Sequence, residues 1–186
     1  MIAADIAPLS NLQRLTHLDV SLSTHYDSGD PVPAGLLAAL QHLTQLQYLG
    51  VHNCCDKVGA EQGHDSYQCF SALTASTQLT ALHISHPFRM PLRRKAFRHM
   101  FPAGRVLPHL RVLFLAGKQW YAVSRFRCVE AAQVAMIAAS CPALQKLVLW
   151  DVISTGFDIS CLAQLPAGVA QVTGRWGKLL WTRPTP

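Results

Sequence analysis

The apolar positions of the chain fall into a spacing that returns at long intervals. Leu12, Leu15, Leu18 and Val20 in NLQRLTHLDV are matched by Leu43, Leu46, Leu49 and Val51 in HLTQLQYLGV, and by Leu79, Leu82 and Ile84 in TQLTALHIS. Leu110, Leu113 and Leu115 in PHLRVLFL and Leu144, Leu147 and Leu149 in CPALQKLVLW continue the series. A weaker sixth copy, Val169 and Val172 in AGVAQVTG, closes it. The positions that open each L-x-L pair, Leu18, Leu49, Leu82, Leu113, Leu147 and Val172, lie 31, 33, 31, 34 and 25 residues apart. Self-similarity at such a period marks a solenoid, in which each unit buries its apolar face only against its neighbours.

Within a unit two shorter periods alternate. In LDVSL, Leu18 and Val20 point one way while His17, Asp19 and Ser21 point the other, the period of two of a half-buried strand. Between strands the period becomes helical. Leu36, Leu37 and Leu40 follow Pro33; then come Phe70 and Leu73; then Leu92, Ala96, Phe97, Met100 and Phe101; then Val129, Ala132, Met136 and Ala139. Pro33 suits a helix start, where its missing N–H costs little. Cys141-Pro142 ends the last helix because the residue before a proline is pushed out of the α region. The predicted unit is a strand, a loop, a helix and a return loop, with each strand pairing in parallel with the next.

These copies resemble the leucine-rich repeat family over roughly residues 9 to 173. The segment ASCPALQKLVL is similar to the cysteine-containing type found in substrate-recognition arms of ubiquitin-ligase adaptors, and the helical insertions resemble the ribonuclease-inhibitor type. The resemblance implies an α/β leucine-rich-repeat solenoid of about five to six repeats. A curved parallel sheet would line its concave face and helices its convex face. Residues 1–186 are expected to form a single domain, with 174–186 as an irregular C-terminal cap or tail.

The chain departs from the family pattern in three ways. Its units exceed the usual length of about 20 to 29 residues. The asparagine or cysteine expected three residues after the second strand leucine is met only by Cys54, its equivalents being Ser23, Pro87, Lys118 and Val152. Neither end shows a recognisable cap, which leaves two readings open: the chain is a piece of a longer array, or Met1 to Pro8 and the tail GRWGKLLWTRPTP act as covers.

Composition narrows the compartment and the chemistry. Half of the 186 residues are apolar, enough for one substantial core, and only 14% are charged. No apolar run approaches the roughly 18 to 20 residues of a membrane-spanning helix. The start MIAADIAPLS lacks the basic and apolar regions of a secretory signal. The expected location is therefore intracellular, cytoplasmic by default with the nucleus open, and the six cysteines are read as thiols.

The net charge of +6 hides a division. Residues 1–65 carry seven acids against Arg14 and Lys57, whereas residues 66–129 carry ten bases and no acid. In a solenoid, order along the chain becomes order in space, so the molecule is expected to be a polarised rod.

Strand register places three columns on the concave face: His17, Tyr48, Ala81, Val112 and Lys146; Asp19, Gly50, His83, Phe114 and Val148; Ser21, His52, Ser85, Ala116 and Trp150. The first three units offer polar groups and histidines there, the next two an apolar patch. Exposed apolar clusters with tryptophan mark interaction surfaces. The candidate protein-binding residues are Tyr48, His52, His83, Phe114, Val148 and Trp150. Their expected partner is another protein, not a membrane.

A second candidate surface is the basic segment PLRRKAFRHMF. On a helix over 92–101, Arg94, Lys95 and Arg98 project outward with Arg93 at the side. Such a run is either a plain solvated face or a footprint for a polyanion such as nucleic acid, an acidic protein or an anionic surface. No helix-turn-helix, zinc-finger or ribonucleoprotein motif accompanies it. Head-to-tail self-association of acidic front and basic middle is a further reading. A ubiquitin-ligase recognition arm rests on the CPALQKL resemblance alone, and no F-box-like segment precedes the repeats.

His52, Cys54, Cys55, His64 and Cys69 are zinc-ligand types, but they lack the paired C-x-x-C or H-x3-5-H spacing of a structural site. No metal and no cofactor is expected. No G-x-S-x-G elbow, phosphate loop or H-E-x-x-H motif occurs, and an open curved sheet offers a groove instead of a pocket. The expected activity is non-catalytic binding by a module or scaffold.

Overall fold

A computed structural model describes residues 11–21, 34–52, 66–86, 94–117, 129–150, 153, 157–174 and 178–183. Seven strands form one sheet in sequence order: β1 (His17–Ser21), β2 (Tyr48–His52), β3 (Ala81–His86), β4 (Val112–Gly117), β5 (Lys146–Trp150), β6 (Gln171–Thr173) and β7 (Leu179–Thr182). The first six run parallel, and β7 turns back antiparallel to β6. Their register pairs Leu18 with Leu49, Leu49 with Leu82, Leu82 with Leu113, Leu113 with Leu147, and Leu147 with Val172. Between the strands lie α1 (Ala34–Leu40), a 3-10 helix (Ser66–Thr74), α2 (Arg94–Met100), α3 (Ala131–Ser140) and a second 3-10 helix (Ile159–Gln164).

A common backbone device starts the strands. Three residues before the opening leucine, an N–H donates to the carbonyl three residues back: Leu15 to Leu12 at 2.9 Å, Leu46 to Leu43 at 3.3 Å, Leu110 to Leu107 at 3.2 Å, Leu144 to Cys141 at 3.2 Å and Val169 to Pro166 at 2.9 Å. The carbonyl just before each of the first four strands then accepts two N–H groups from its successor. Thr16 O accepts from Gln47 and Tyr48, Gln47 O from Thr80 and Ala81, Thr80 O from Arg111 and Val112, and Arg111 O from Gln145 and Lys146. Backbone groups that the turn would strand in the interior are thereby paired.

Before β3 a side chain does this work. The buried Ser76 hydroxyl shares its proton between Thr44 O and Leu46 O, each at 2.7 Å, and accepts the Gln78 N–H at 3.2 Å. Ser76→Ala leaves these groups unpaired, and we expect it to lower the unfolding free energy by about 1–3 kcal/mol. Urea unfolding checks this: the midpoint should fall with its slope unchanged.

The apolar face of the sheet packs on the helical layer in a single core. Leu49, Val51, Leu82, Ile84, Leu113, Leu115, Leu147, Leu149 and Val172 from the strands meet Leu36, Leu40, Phe70, Leu73, Phe97, Met100, Phe101, Val134, Ile137 and Leu162 from the helices. Thr74 ties the layer together, donating to Met100 O at 2.6 Å while its carbonyl accepts from Arg105 Nη1 at 2.7 Å. The chain is thus α/β, one mostly parallel open sheet with helices on one side.

Several local expectations change. The segment bearing Phe70 and Leu73 is a 3-10 helix, although both side chains are buried. In α3 the inward residues are Gln133, Val134, Ile137 and Ser140, while Ala132 and Ala139 are exposed and Met136 is half-buried. The larger Val134 and Ile137 remove more apolar area from water than the alanines would. Gln133 is held inward because its side-chain oxygen accepts the Glu130 N–H at 3.0 Å. The first apolar copy is the least covered, with Leu12 exposed and Leu15 and Leu18 only partly buried, since among the described residues β1 is paired on one side only.

At the other end, β7 packs Leu180 and Trp181 against the core. Arg183 fastens it, donating through Nη2 to Leu165 O at 2.7 Å and Pro166 O at 2.8 Å, with its guanidinium 5.3 Å from the Trp181 ring centre. Pro33, Leu92 and the ladder positions Ser23, Cys54, Pro87, Lys118 and Val152 lie outside the described residues. Among those described, no helix is long and apolar enough to cross a membrane.

Candidate functional site

Strand alternation turns every second residue away from the core, and the parallel register aligns those residues into the three expected columns. His17, Tyr48, Ala81, Val112 and Lys146 form one; Asp19, Gly50, His83, Phe114 and Val148 the next; Ser21, His52, Ser85, Ala116 and Trp150 the third. The six candidate protein-binding residues therefore share one face.

Five rings form a row across that face. Centroid separations are 6.1 Å for His17–Tyr48, 5.2 Å for Tyr48–His83, 5.4 Å for His83–Phe114 and 6.3 Å for Phe114–Trp150. One ring comes from each of β1 to β5, so at about 4.8 Å per strand the row crosses about 19 Å of sheet while it shifts from the first column to the third. The Tyr48–His83 and Phe114–Trp150 contacts are edge-on, a favoured geometry for aromatic pairs.

Toward β1 the polar groups satisfy one another. The Tyr48 hydroxyl donates to Asp19 Oδ2 at 3.2 Å, and His52 Nε2 lies 3.0 Å from Asp19 Oδ1. The second His52 nitrogen lies 2.7 Å from Ser85 Oγ. Asp19 reaches both partners on β2 because Gly50 stands between them with no side chain; a Cβ there would lie 2.9 Å from Asp19 Cγ. Burial, with the Asp19 charge and hydrogen bond adding to it, pushes the Tyr48 phenol above its ordinary value.

Burial also lowers the His83 pKa; neighbouring His52 and then Lys146 push the same way, and Asp19 opposes them. The unfolded chain therefore takes up a proton at His83 before the folded one does. That stability is fully present above the ordinary imidazole value of about 6.5 and is lost as pH falls from there toward the lowered folded value. Comparing melting temperatures across this window should show a steeper acid-side decline for the native chain than for His83→Asn; equal slopes would contradict it.

Toward β5 the face is apolar. Val112, Phe114, Ala116 and Trp150 are half-buried, whereas Val148 is only 8% exposed and yet stands apart from the core beneath the sheet. Val148 pairs in register with Phe114 on β4 and stands two residues before Trp150 on β5, so the most buried side chain of this face adjoins the positions of both rings. Lys146, two residues before Val148 on β5, is exposed and has no ion-pair partner among the described residues.

The basic helix is partly described. Arg98 is exposed on α2, opposite buried Phe97 and Met100; Arg94 and Lys95 belong to α2 without described side chains, and Arg93 lies outside the described residues. Of the zinc-ligand types, His52 is engaged by Asp19 and Ser85, Cys54, Cys55 and His64 lie outside the described residues, and the Cys69 side chain is not described. Cys141 and Cys161 are buried thiols, and burial pushes Cys141 up to about 12, far from a reactive thiolate. Sequence reasoning left His17, Asp19, Gly50, Ser85 and Lys146 out of the site. Their signal was the column register, which placed each beside a chosen residue. A scan against family models and a search of curated proteins find no match for the chain.

Proposed function

We propose that the chain is a leucine-rich-repeat solenoid that acts as a non-catalytic module binding another protein through the open face of its sheet. The turn, the doubly accepting carbonyl and the strand register recur from unit to unit, which supports the solenoid reading. The observation that carries the function is the row of rings ending in the Val148 cluster: apolar and aromatic surface on the side facing away from the core.

Asp19, His52 and Ser85 do form a carboxylate–imidazole–hydroxyl chain. Ser85, however, sits in β3 between two paired strands, so the backbone N–H groups around it are spent in the sheet ladders. A serine nucleophile needs free donors for the oxyanion it creates. The three residues serve instead to hold the polar half of the face rigid.

The test is retention of a binding partner from nuclease-treated cell extract on the immobilised chain as salt rises. A discrete protein held at high salt, and lost on changing Phe114 and Trp150 to alanine, is the expected result. Loss with nuclease or at modest salt would overturn the reading in favour of a polyanion at Arg93, Arg94, Lys95 and Arg98, since each neutralised phosphate releases a counterion.

A further inference from the structure

The two halves of the open face differ in what they leave unused. On β1 to β3, Asp19, Tyr48, His52 and Ser85 bond one another, and the only carboxylate of the three columns is engaged there. On β5, Lys146 is an exposed cation with no ion-pair partner among the described residues. Its strand position puts it two residues from Val148 and in register with Val112 of β4, at the border of the apolar patch. Among the described residues the three columns therefore offer a positive charge beside an apolar patch and no carboxylate other than the engaged Asp19.

The spacing of these features is that of an extended chain. Lys146, Val148 and Trp150 alternate along β5, so Lys146 stands about 6.8 Å from Val148 and the same distance separates Val148 from Trp150. Residues i and i+2 of an extended peptide have that same separation. A carboxylate over Lys146 and an apolar side chain over Val148, flanked by Phe114 and Trp150, can thus belong to one short segment lying along the strand. Its intervening residue would point to solvent and is free to vary.

We infer that the partner presents an extended acidic segment to β4 and β5, with a carboxylate two residues from an apolar side chain, the acid meeting Lys146 and the apolar group seated on Val148. This inference rests on the reading of the open face as a binding surface. The acidic residue supplies direction and selectivity, and the apolar contact supplies most of the affinity.

The test is selection of short random peptides displayed on phage against the folded full chain and its Lys146→Glu, Phe114→Ala and Trp150→Ala variants, each first shown to melt near the native temperature. The expected result is enrichment, by about tenfold, of Asp or Glu two positions from an apolar residue, replaced by Lys or Arg at that position on Lys146→Glu. Peptides that need Phe114 and Trp150 but ignore charge and Lys146→Glu would overturn the acidic-partner inference and leave the binding surface standing. No enrichment, or enrichment indifferent to Phe114 and Trp150, would overturn both.

Discussion

Phe97→Ala should cost about 3–5 kcal/mol of unfolding free energy, among the largest stability changes expected for a single side chain of the described residues. Phe97 is fully buried on α2, its ring 5.2 Å from that of Phe101, in the layer that covers the sheet. Its helix is anchored on both sides: Thr74 of the neighbouring 3-10 helix donates to Met100 O, and the core continues into α3 through Val134 and Ile137. Truncation leaves a cavity that these braced neighbours cannot close, so both the transfer and the cavity contributions are lost. Arg98, next in sequence but exposed, is the control, and Arg98→Ala should move stability by no more than about 0.5 kcal/mol. Urea denaturation of the three proteins gives the comparison. Equal losses for both variants would mean that α2 does not cover the sheet as described.

The second large effect concerns binding. Trp150→Ala and Phe114→Ala should each weaken association with the retained protein partner by about 2 kcal/mol or more, roughly thirtyfold, while melting temperatures stay close to native. Both side chains are half-buried on the open face and outside the core, so their loss removes contact surface without opening the interior. Because the two rings are edge-on neighbours with centroids 6.3 Å apart, the double variant should lose less than the sum of the two. Calorimetric titration of the three variants supplies these numbers. A collapse of the melting temperature would instead place the rings among the residues that hold the fold.

The strands were legible because two periods coincide in them. Alternation fixed which side of LDVSL or YLGVH faces inward, and the long spacing fixed which leucines align, so the paired register reproduces the three columns without a shift. The helical segments were read less well. Alanine carries little directional information, so the spacing points Ala132 and Ala139 inward whereas Val134 and Ile137 take that side. The 3-10 geometry of Ser66–Thr74 has no apolar period of its own to distinguish it from α over two turns.

At the site, membership of the face can be read from the strand columns, but the bonds within it cannot. That Asp19 leans across Gly50 to reach Tyr48 and His52 depends on side-chain rotamers and on an absent Cβ, neither of which a column shows. Val148 shares the face with the other candidate contact residues, yet at 8% exposed it is the most buried of them. Alternation distinguishes the two sides of a sheet; it does not rank the depth of residues on one side.

Hydroxyl-radical footprinting of the chain, alone and with its retained partner, tests the central claim most directly, because it reads side-chain exposure at every ring at once. Binding through the open face predicts that labelling of Tyr48, His83, Phe114 and Trp150 falls on complex formation while Arg98 and His99 on α2 stay as reactive as in the free chain. Protection of α2 with unchanged labelling of Phe114 and Trp150 would contradict it and move the function to the helical side of the molecule.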